Sequence, residues 1–299
     1  MDELLKELSE YAIVETDVPM SKMTTLHIGG LAKYVVYPEN TIALDAIMKM
    51  LKEKNVPYKV FGKGSNLLCS DKPFDGVVVR LDRHMDAYYF NDDEITAEAG
   101  CSLIALSYAA AKHGLSGLEF ASGIPGTIGG AVFMNAGAYK SSMSEVLKEV
   151  FVYRDGVLEW IKAEDCMFGY RSSIFQEHSD WIVAGVKMKL VPGDVDEIRS
   201  LMDNRRERRI ASQPLDKPSA GSVFRNPENN AAWKLIEDIG YRGRMIGGAK
   251  VSEKHVNFIV NEDCAKASDY LELVQEIQEK VRSRFGIDLH MEVEKFNWD

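Results

Sequence analysis

Two glycine-rich segments hold the residues with the clearest capacity for ligand chemistry. The first, Gly62-Lys63-Gly64-Ser65-Asn66-Leu67-Leu68, directly follows a run predicted to be a strand. Glycines on both sides of a lysine permit positive backbone dihedrals, so amide N–H groups can converge on an anion. A pyrophosphate suits such a nest. The dinucleotide fingerprint is absent, because Leu67 stands where its third glycine belongs. A tight structural turn would use the same residues.

The second segment is Ala121-Ser122-Gly123-Ile124-Pro125-Gly126-Thr127-Ile128-Gly129-Gly130-Ala131. Pro125 suits the first turn of a helix, so a helix is expected to start near Gly126. Glycine costs a helix about 1 kcal/mol per position relative to alanine, so several together need a reason. One reason is close approach of a flat or phosphorylated ligand to backbone amides at a helix N-terminus. Tight helix–strand packing is the alternative. The continuation Asn135-Ala136-Gly137-Ala138-Tyr139 prolongs the unusual pattern and favours the ligand.

Other chemistries fit poorly. Gly243 to Val251 approaches a P-loop, but Ala249 separates glycine from lysine and Val251 replaces the magnesium-binding hydroxyl. The four cysteines, Cys69, Cys101, Cys166 and Cys264, include no CxxC pair, and the six histidines lack metal-ligand spacing. No metal is expected, and the thiols are expected to be reduced and mostly buried. The run Arg205-Arg206-Glu207-Arg208-Arg209 could attract a phosphate but reads more simply as a solvated helix face.

The elements that would position these residues alternate between helix and strand. Leu4, Leu5 and Leu8 mark a short amphipathic helix, and Ile42 to Leu51 a longer one within Thr41 to Asn55. Strands are predicted at Lys33 to Tyr37, Pro57 to Phe61 and Gly76 to Leu81. Further along come a strand at Ile95 to Glu98 and a helix capped by Ser102 and running to about His113. A hairpin turns at Asp155-Gly156 between Glu149 to Tyr153 and Val157 to Ile161. Trp181 to Leu190 reads as a strand and Asp194 to about Ser212 as a charged helix. The last stretch predicts helices at Trp233 to Ile239 and Ser268 to Phe285, with strands at His255 to Val260 and Ile287 to Phe296. No internal repeat is visible.

The mixed order implies an α+β fold. With 299 residues the chain can hold two or three packed units. The expected division is 1–81, 82–200 and 201–299. A formal net charge of −10 disfavours nucleic acid and anionic membrane as partners. An acidic N-terminus without an apolar core, and no apolar run of membrane-spanning length, point to a cytoplasmic protein.

Five segments in order resemble the UDP-N-acetylenolpyruvoylglucosamine reductase (MurB) family. The two glycine segments look like its FAD-binding segments. Phe168-Gly169-Tyr170-Arg171-Ser172-Ser173-Ile174-Phe175 resembles its catalytic arginine motif, and Ala220-Gly221-Ser222-Val223-Phe224-Arg225-Asn226-Pro227 its catalytic serine motif. His290-Met291-Glu292-Val293 resembles the segment carrying its C-terminal glutamate. The likeness runs from Thr24 to about Phe296. Arg225 stands where the family usually has lysine, and Met291 where proline commonly precedes the glutamate. The short stretch from Trp181 to Asp194 resembles the compact type II class.

The resemblance implies a vanillyl-alcohol-oxidase-type (PCMH-like) fold, with two FAD-binding subdomains followed by a C-terminal α+β substrate domain. It implies non-covalent FAD held by Gly62, Lys63, Gly64, Ser65, Asn66, Leu67, Gly123, Ile124, Pro125, Gly126, Thr127, Gly129, Gly130 and Ala131. It also implies NADPH as co-substrate and UDP-N-acetylglucosamine enolpyruvate as substrate. Arg171, Ser222 and Glu292 would be catalytic, with Tyr170, Arg225 and Asn226 contacting the nucleotide sugar. The expected state is a monomer or weak homo-oligomer. A flavoprotein oxidase of the same fold would share the glycine segments without needing Arg171, Ser222 and Glu292 together. A non-catalytic flavin or nucleotide-sugar binding module would bind without turnover.

Overall fold

Local signals set most element boundaries. Asn40 caps the helix Thr41–Glu53, its side-chain oxygen accepting from the amides of Ile42 and Ala43, both at 3.0 Å. Ser102 likewise caps Leu103–Lys112, accepting from Ala105 N at 3.4 Å. Asp155 and Gly156 both have positive φ, 51° and 83°, as a two-residue primed turn requires. They join Leu147–Arg154 to Val157–Lys162 with Arg154 opposite Val157.

The computed structural model describes residues 2–298. Contacts gather into two discontinuous units. The first comprises Met1–Thr16, Tyr34–Lys63 and Gly76–Arg208, and the second Asp17–Lys33, Gly64–Asp75 and Arg209–Asp299. Segments 17–33 and 64–75 thus belong with the C-terminal third of the chain, a grouping that no run of sequence neighbours reveals.

The first unit is built on two larger sheets, with two short two-stranded ones beside them. One orders Ala12–Pro19, Leu31–Pro38, Phe74–Arg80 and Tyr58–Phe61, the last two pairing in parallel. The other is antiparallel and five-stranded, in the order Val157–Lys162, Leu147–Arg154, Ile182–Lys189, Glu94–Glu98 and Tyr88–Asn91. Its central strand, Ile182–Lys189, is buried at six of eight positions, so it reads as a nearly continuous apolar run. One core, including Leu44, Ile47, Val77, Val79, Leu106, Val150 and Val186, serves this unit.

The second unit has its own core. Helix Ala267–Phe285 lays Tyr270, Leu273, Val274, Ile277 and Val281 inward, at helical spacing, with Ala249, Val251 and Ile259 in the same cluster. The last three belong to a three-stranded antiparallel sheet of Met245–Ile246, Ala249–Val251 and Ile259–Asn261. Gly286, at φ 68°, ends the helix as a left-handed cap. A parallel ladder joins Glu294–Phe296 to Leu67–Cys69.

Three predicted elements need correction. The helix expected near Gly126 begins at Ile128 with Thr127 as its N-cap, so Pro125 lies ahead of the first turn rather than in it. The strand expected at His255 to Val260 is only Ile259–Asn261, since Ser252 Oγ accepts from the amides of Lys254 and His255 and holds a turn there. The closing strand expected from Ile287 is only Glu294–Phe296; upstream of it, Met291 makes an isolated bridge to Phe224.

All four cysteines are free thiols, three buried and Cys264 exposed. Among the described residues, no helix is long and apolar enough to cross a membrane.

Candidate functional site

In the first unit Gly62 and Lys63, which begin the first glycine segment, come up against the second one. A Cβ on Gly62 would collide with Oγ1 of Thr127, so only glycine permits this approach. Lys63 Nζ lies 3.5 Å from Ser102 Oγ, and Ser102 bridges Thr127. The expected helix N-terminus, however, is largely spent on the protein itself. Ile128 N donates to Cys101 O, Gly129 N to Ala99 O, and Gly130 N to Thr127 Oγ1. Gly129 also packs tightly, since its Cβ would lie 3.0 Å from that of Ala99. Helix–strand packing is therefore part of why small residues stand here.

The loop before the helix keeps donors to offer. Among the described residues, the amides of Gly123, Gly126 and Thr127 make no hydrogen bond, while Ile124 N donates to Ala121 O. Gly123, Ile124 and Gly126 are half-buried and Pro125 is exposed; Thr127 and Ala131 are buried and Gly130 is exposed. A close glycine approach, unpaired amides and the exposed Lys63 cation suit a diphosphate-bearing cofactor such as FAD.

Arg171 belongs to the same unit. Gly169 and Ser172 exchange backbone hydrogen bonds at 3.0 and 3.3 Å, placing Tyr170 and Arg171 at the tip of a tight turn. Arg171 has φ 56°, an uncommon conformation for a side-chain-bearing residue. Two carboxamides pin the turn. Buried Asn135 donates to Gly169 O at 2.8 Å, and Gln176 Nε2 donates to Arg171 O at 3.1 Å and to Phe133 O at 3.0 Å. Arg171 Nη2 donates to Gly137 O at 2.8 Å, and its guanidinium sits 5.3 Å from the Tyr170 ring. Tyr170 is 59% exposed, open to an incoming ligand. Arg205, from the basic run, lies against Tyr139 at 4.8 Å; Arg206 and Arg208 are exposed.

Ser222 and Glu292 meet as neighbouring segments of the second unit. Glu292 N donates to Val223 O at 2.8 Å and Arg225 N to His290 O at 3.0 Å, flanking the Phe224–Met291 bridge. Ser222 follows Gly221, whose φ is 79°, and is half-buried. Its hydroxyl has no hydrogen-bond partner among the described residues. Arg225 is half-buried, its Nε without a hydrogen-bond partner among the described residues, and Asn226 uses its side-chain oxygen to hold Ala232 N at 3.0 Å.

The rest of the first glycine segment is tied to this strand pair. Asn66 donates its side-chain amide to Glu292 O at 3.1 Å, and Glu294 N donates to Asn66 O. Gly64, at φ 62°, abuts the Met23 carbonyl and accepts from Thr25 N. Ser65 is half-buried; Leu67 is buried, its backbone paired with Glu294.

Sequence reasoning missed Gln176 and Asn257. Asn257 is buried and makes three hydrogen bonds to Val223 and Phe224. The available signal was a lone carboxamide inside the apolar run Val256-Asn257-Phe258-Ile259-Val260, since a buried polar side chain must find partners.

Comparison with known proteins assigns the chain. Residues 32–161 match a family model described as an FAD binding domain, and residues 213–296 one described as the C-terminal domain of UDP-N-acetylenolpyruvoylglucosamine reductase. UDP-N-acetylenolpyruvoylglucosamine reductases from Anoxybacillus flavithermus and Bacillus subtilis are 42% and 40% identical, in each case over 98% of both chains. The crystal structure of the enzyme from Thermus caldophilus superposes with a TM-score of 0.84 at 36% identity, covering 96% of this chain and 100% of that one. A berberine bridge enzyme variant, at 14% identity and a TM-score of 0.50, shares the fold over 74% of this chain and 52% of its own. The likeness to the reductases runs almost end to end, and both family models match in the expected order: this chain belongs to the UDP-N-acetylenolpyruvoylglucosamine reductase family.

Proposed function

We propose that this protein is an FAD-dependent oxidoreductase that uses NADPH to reduce UDP-N-acetylglucosamine enolpyruvate to UDP-N-acetylmuramate, a step of peptidoglycan precursor synthesis. The observation that carries the reading is end-to-end similarity to reductases of that name. Bound FAD would supply hydride transfer from NADPH to the vinyl methylene carbon of the enolpyruvyl ether. Gly62, Lys63 and the loop Gly123 to Thr127 would hold its diphosphate through unpaired amides and one cation. Gly64, Ser65, Asn66 and Leu67 would add backbone contacts, with Gly129, Gly130 and Ala131 forming the floor behind the loop.

The chain's own residues handle the charge and the proton. Hydride arrival at the methylene pushes electrons into the neighbouring carboxylate, creating a dianion. Arg171 is the residue for that charge: its planar fork matches a carboxylate, and its backbone is fixed by Gln176 and the Asn135-bound turn. A preorganised donor of this kind contributes about 3 kcal/mol to the transition state. Ser222, with an uncommitted hydroxyl, donates the proton to the carbon beside the carboxylate. Glu292 is held by its backbone on the adjoining segment and orients a water or polarises the substrate; a protonated or paired carboxyl avoids repelling the dianion. Tyr170, Arg225 and Asn226 contact the nucleotide sugar.

We also assign the protein to the cytoplasm, where NADPH and nucleotide sugars are available, as a monomer or weak homo-oligomer without nucleic-acid or membrane partners. Its first unit divides near residues 81/82 into two FAD-binding subdomains, a reading supported by its two larger sheets.

The test is turnover with product identification. NADPH oxidation should depend on the enolpyruvyl nucleotide sugar, and the product should gain two hydrogen atoms. Ser222→Ala should slow substrate reduction by about 10²–10⁴-fold. NADPH consumption indifferent to this substrate, or oxygen uptake driven by a simple alcohol without NADPH, would reject the assignment.

A further inference from the structure

The serine segment is clamped from the side opposite Glu292 by one buried side chain. Asn257 is only 4% exposed. Its Oδ1 accepts from Phe224 N at 3.0 Å, and its Nδ2 donates to Phe224 O at 2.9 Å. Its backbone carbonyl accepts from Val223 N at 2.8 Å. A carboxamide offers one donor and one acceptor in a plane, as a peptide group does, so Asn257 acts as a one-residue strand partner for Phe224.

The other edge of the same segment pairs with the glutamate strand, through Glu292 N to Val223 O and Arg225 N to His290 O. A continuous line of hydrogen bonds therefore runs from Asn257 O through the Val223 peptide groups to Glu292 N. Asn66 holds the carbonyl of Glu292 beyond it. The residue before Ser222 is Gly221 at φ 79°, and further upstream Ser219 bridges Val260 while its carbonyl accepts from Thr25 Oγ1 at 2.7 Å. Ser222 is thus held between two anchored stretches, and on its C-terminal side the adjoining Val223 and Phe224 are held by Asn257.

We propose that Asn257 is a positioning residue for the proton-transfer step: it touches neither substrate nor cofactor, but fixes Ser222 and the backbone of Glu292 in register. This rests on the reading of Ser222 as proton donor. Asn257→Asp keeps the shape and the acceptor but removes the donor facing Phe224 O, replacing attraction by repulsion between oxygens.

The experiment follows the two half-reactions of the FAD-loaded enzyme separately in stopped flow. Asn257→Asp should leave flavin reduction by NADPH within about twofold of wild type and slow flavin reoxidation by the enolpyruvyl substrate about 10- to 100-fold, as expected for loss of alignment at one step. In a Ser222→Ala background the same change should cost less than about threefold, because residues acting as a unit are non-additive. Asn257→Ser carries the same test if Asn257→Asp does not yield folded holoenzyme. Equal slowing of both half-reactions, or a double variant showing the full product of the two losses, would overturn the inference. An impaired Ser222→Ala beside an unimpaired Asn257→Asp removes this inference alone. An unimpaired Ser222→Ala removes the proton-donor reading, and this inference with it.

Discussion

The side-chain amide of Asn66 donates to the backbone carbonyl of Glu292 across 226 residues of sequence, at 3.1 Å. With Glu294 N donating to Asn66 O at 2.9 Å, it fastens the glycine segment to the C-terminal strand. A residue expected only to serve a cofactor is thus also structural.

Asn66→Ala should therefore destabilise the protein even without FAD. Loss of a partly buried hydrogen bond costs about 1 kcal/mol, read as a lower urea midpoint of the apoprotein at unchanged slope. Were Asn66 to act solely on the flavin, the apoprotein midpoint would stay where it is.

Gly62→Ala should weaken FAD binding. The added methyl would strike Thr127 Oγ1, whose other contact caps the helix Ile128–Phe133, so the two glycine segments must separate. An affinity loss of about 10-fold or more is expected, equivalent to about 1.4 kcal/mol. Fluorescence titration of the apoprotein with FAD measures it; unchanged affinity would mean the junction of the two segments is not part of the cofactor site.

Tyr270 gives a prediction about pH. It is fully buried and its hydroxyl has no hydrogen-bond partner among the described residues. Burial raises its pKa well above the ordinary tyrosine range. The native state thus favours the neutral phenol: that stability is complete below about pH 10, where the unfolded side chain titrates, and is lost as pH rises beyond it. Tyr270→Phe should stabilise the protein at neutral pH by about 1 kcal/mol, since an unpaired buried hydroxyl is removed. It should also flatten the alkaline fall in melting temperature. A destabilised variant with the wild-type alkaline slope would contradict this account.

Thiol chemistry gives a further check. Burial pushes Cys101 and Cys166 up to about 12, so both stay protonated at neutral pH, and Cys69 is buried as well. Only Cys264 is exposed. A disulfide reagent added to native protein should titrate one thiol rapidly and the other three only on unfolding. Rapid reaction of two or more would show that a buried cysteine is accessible.

These cases also show what the sequence could reveal. Helices and hairpins with local punctuation were legible, as at Asn40, Ser102 and Asp155-Gly156, because their signals lie within a few residues of the structure they cause. The helix was expected a little early because Pro125 suggests a first turn, whereas the Thr127 side chain caps a helix that begins at Ile128. The assembly of the second unit from segments 17–33, 64–75 and 209–299 was not legible, since no local pattern encodes the Asn66–Glu292 bond or the Leu67–Glu294 pairing. The candidate site is proposed from its motifs. Its supporting carboxamides, Asn257 and Gln176, were missed because each acts through backbone groups distant in sequence or conformation.

The central claim, that this chain moves electrons from NADPH through FAD to an enolpyruvyl nucleotide sugar, is tested most directly by the flavin spectrum under anaerobic conditions. Added NADPH should bleach the oxidised flavin band, and UDP-N-acetylglucosamine enolpyruvate added next should restore it in equimolar proportion. A flavin that NADPH leaves yellow, or a bleached flavin that this substrate does not reoxidise, would contradict the account.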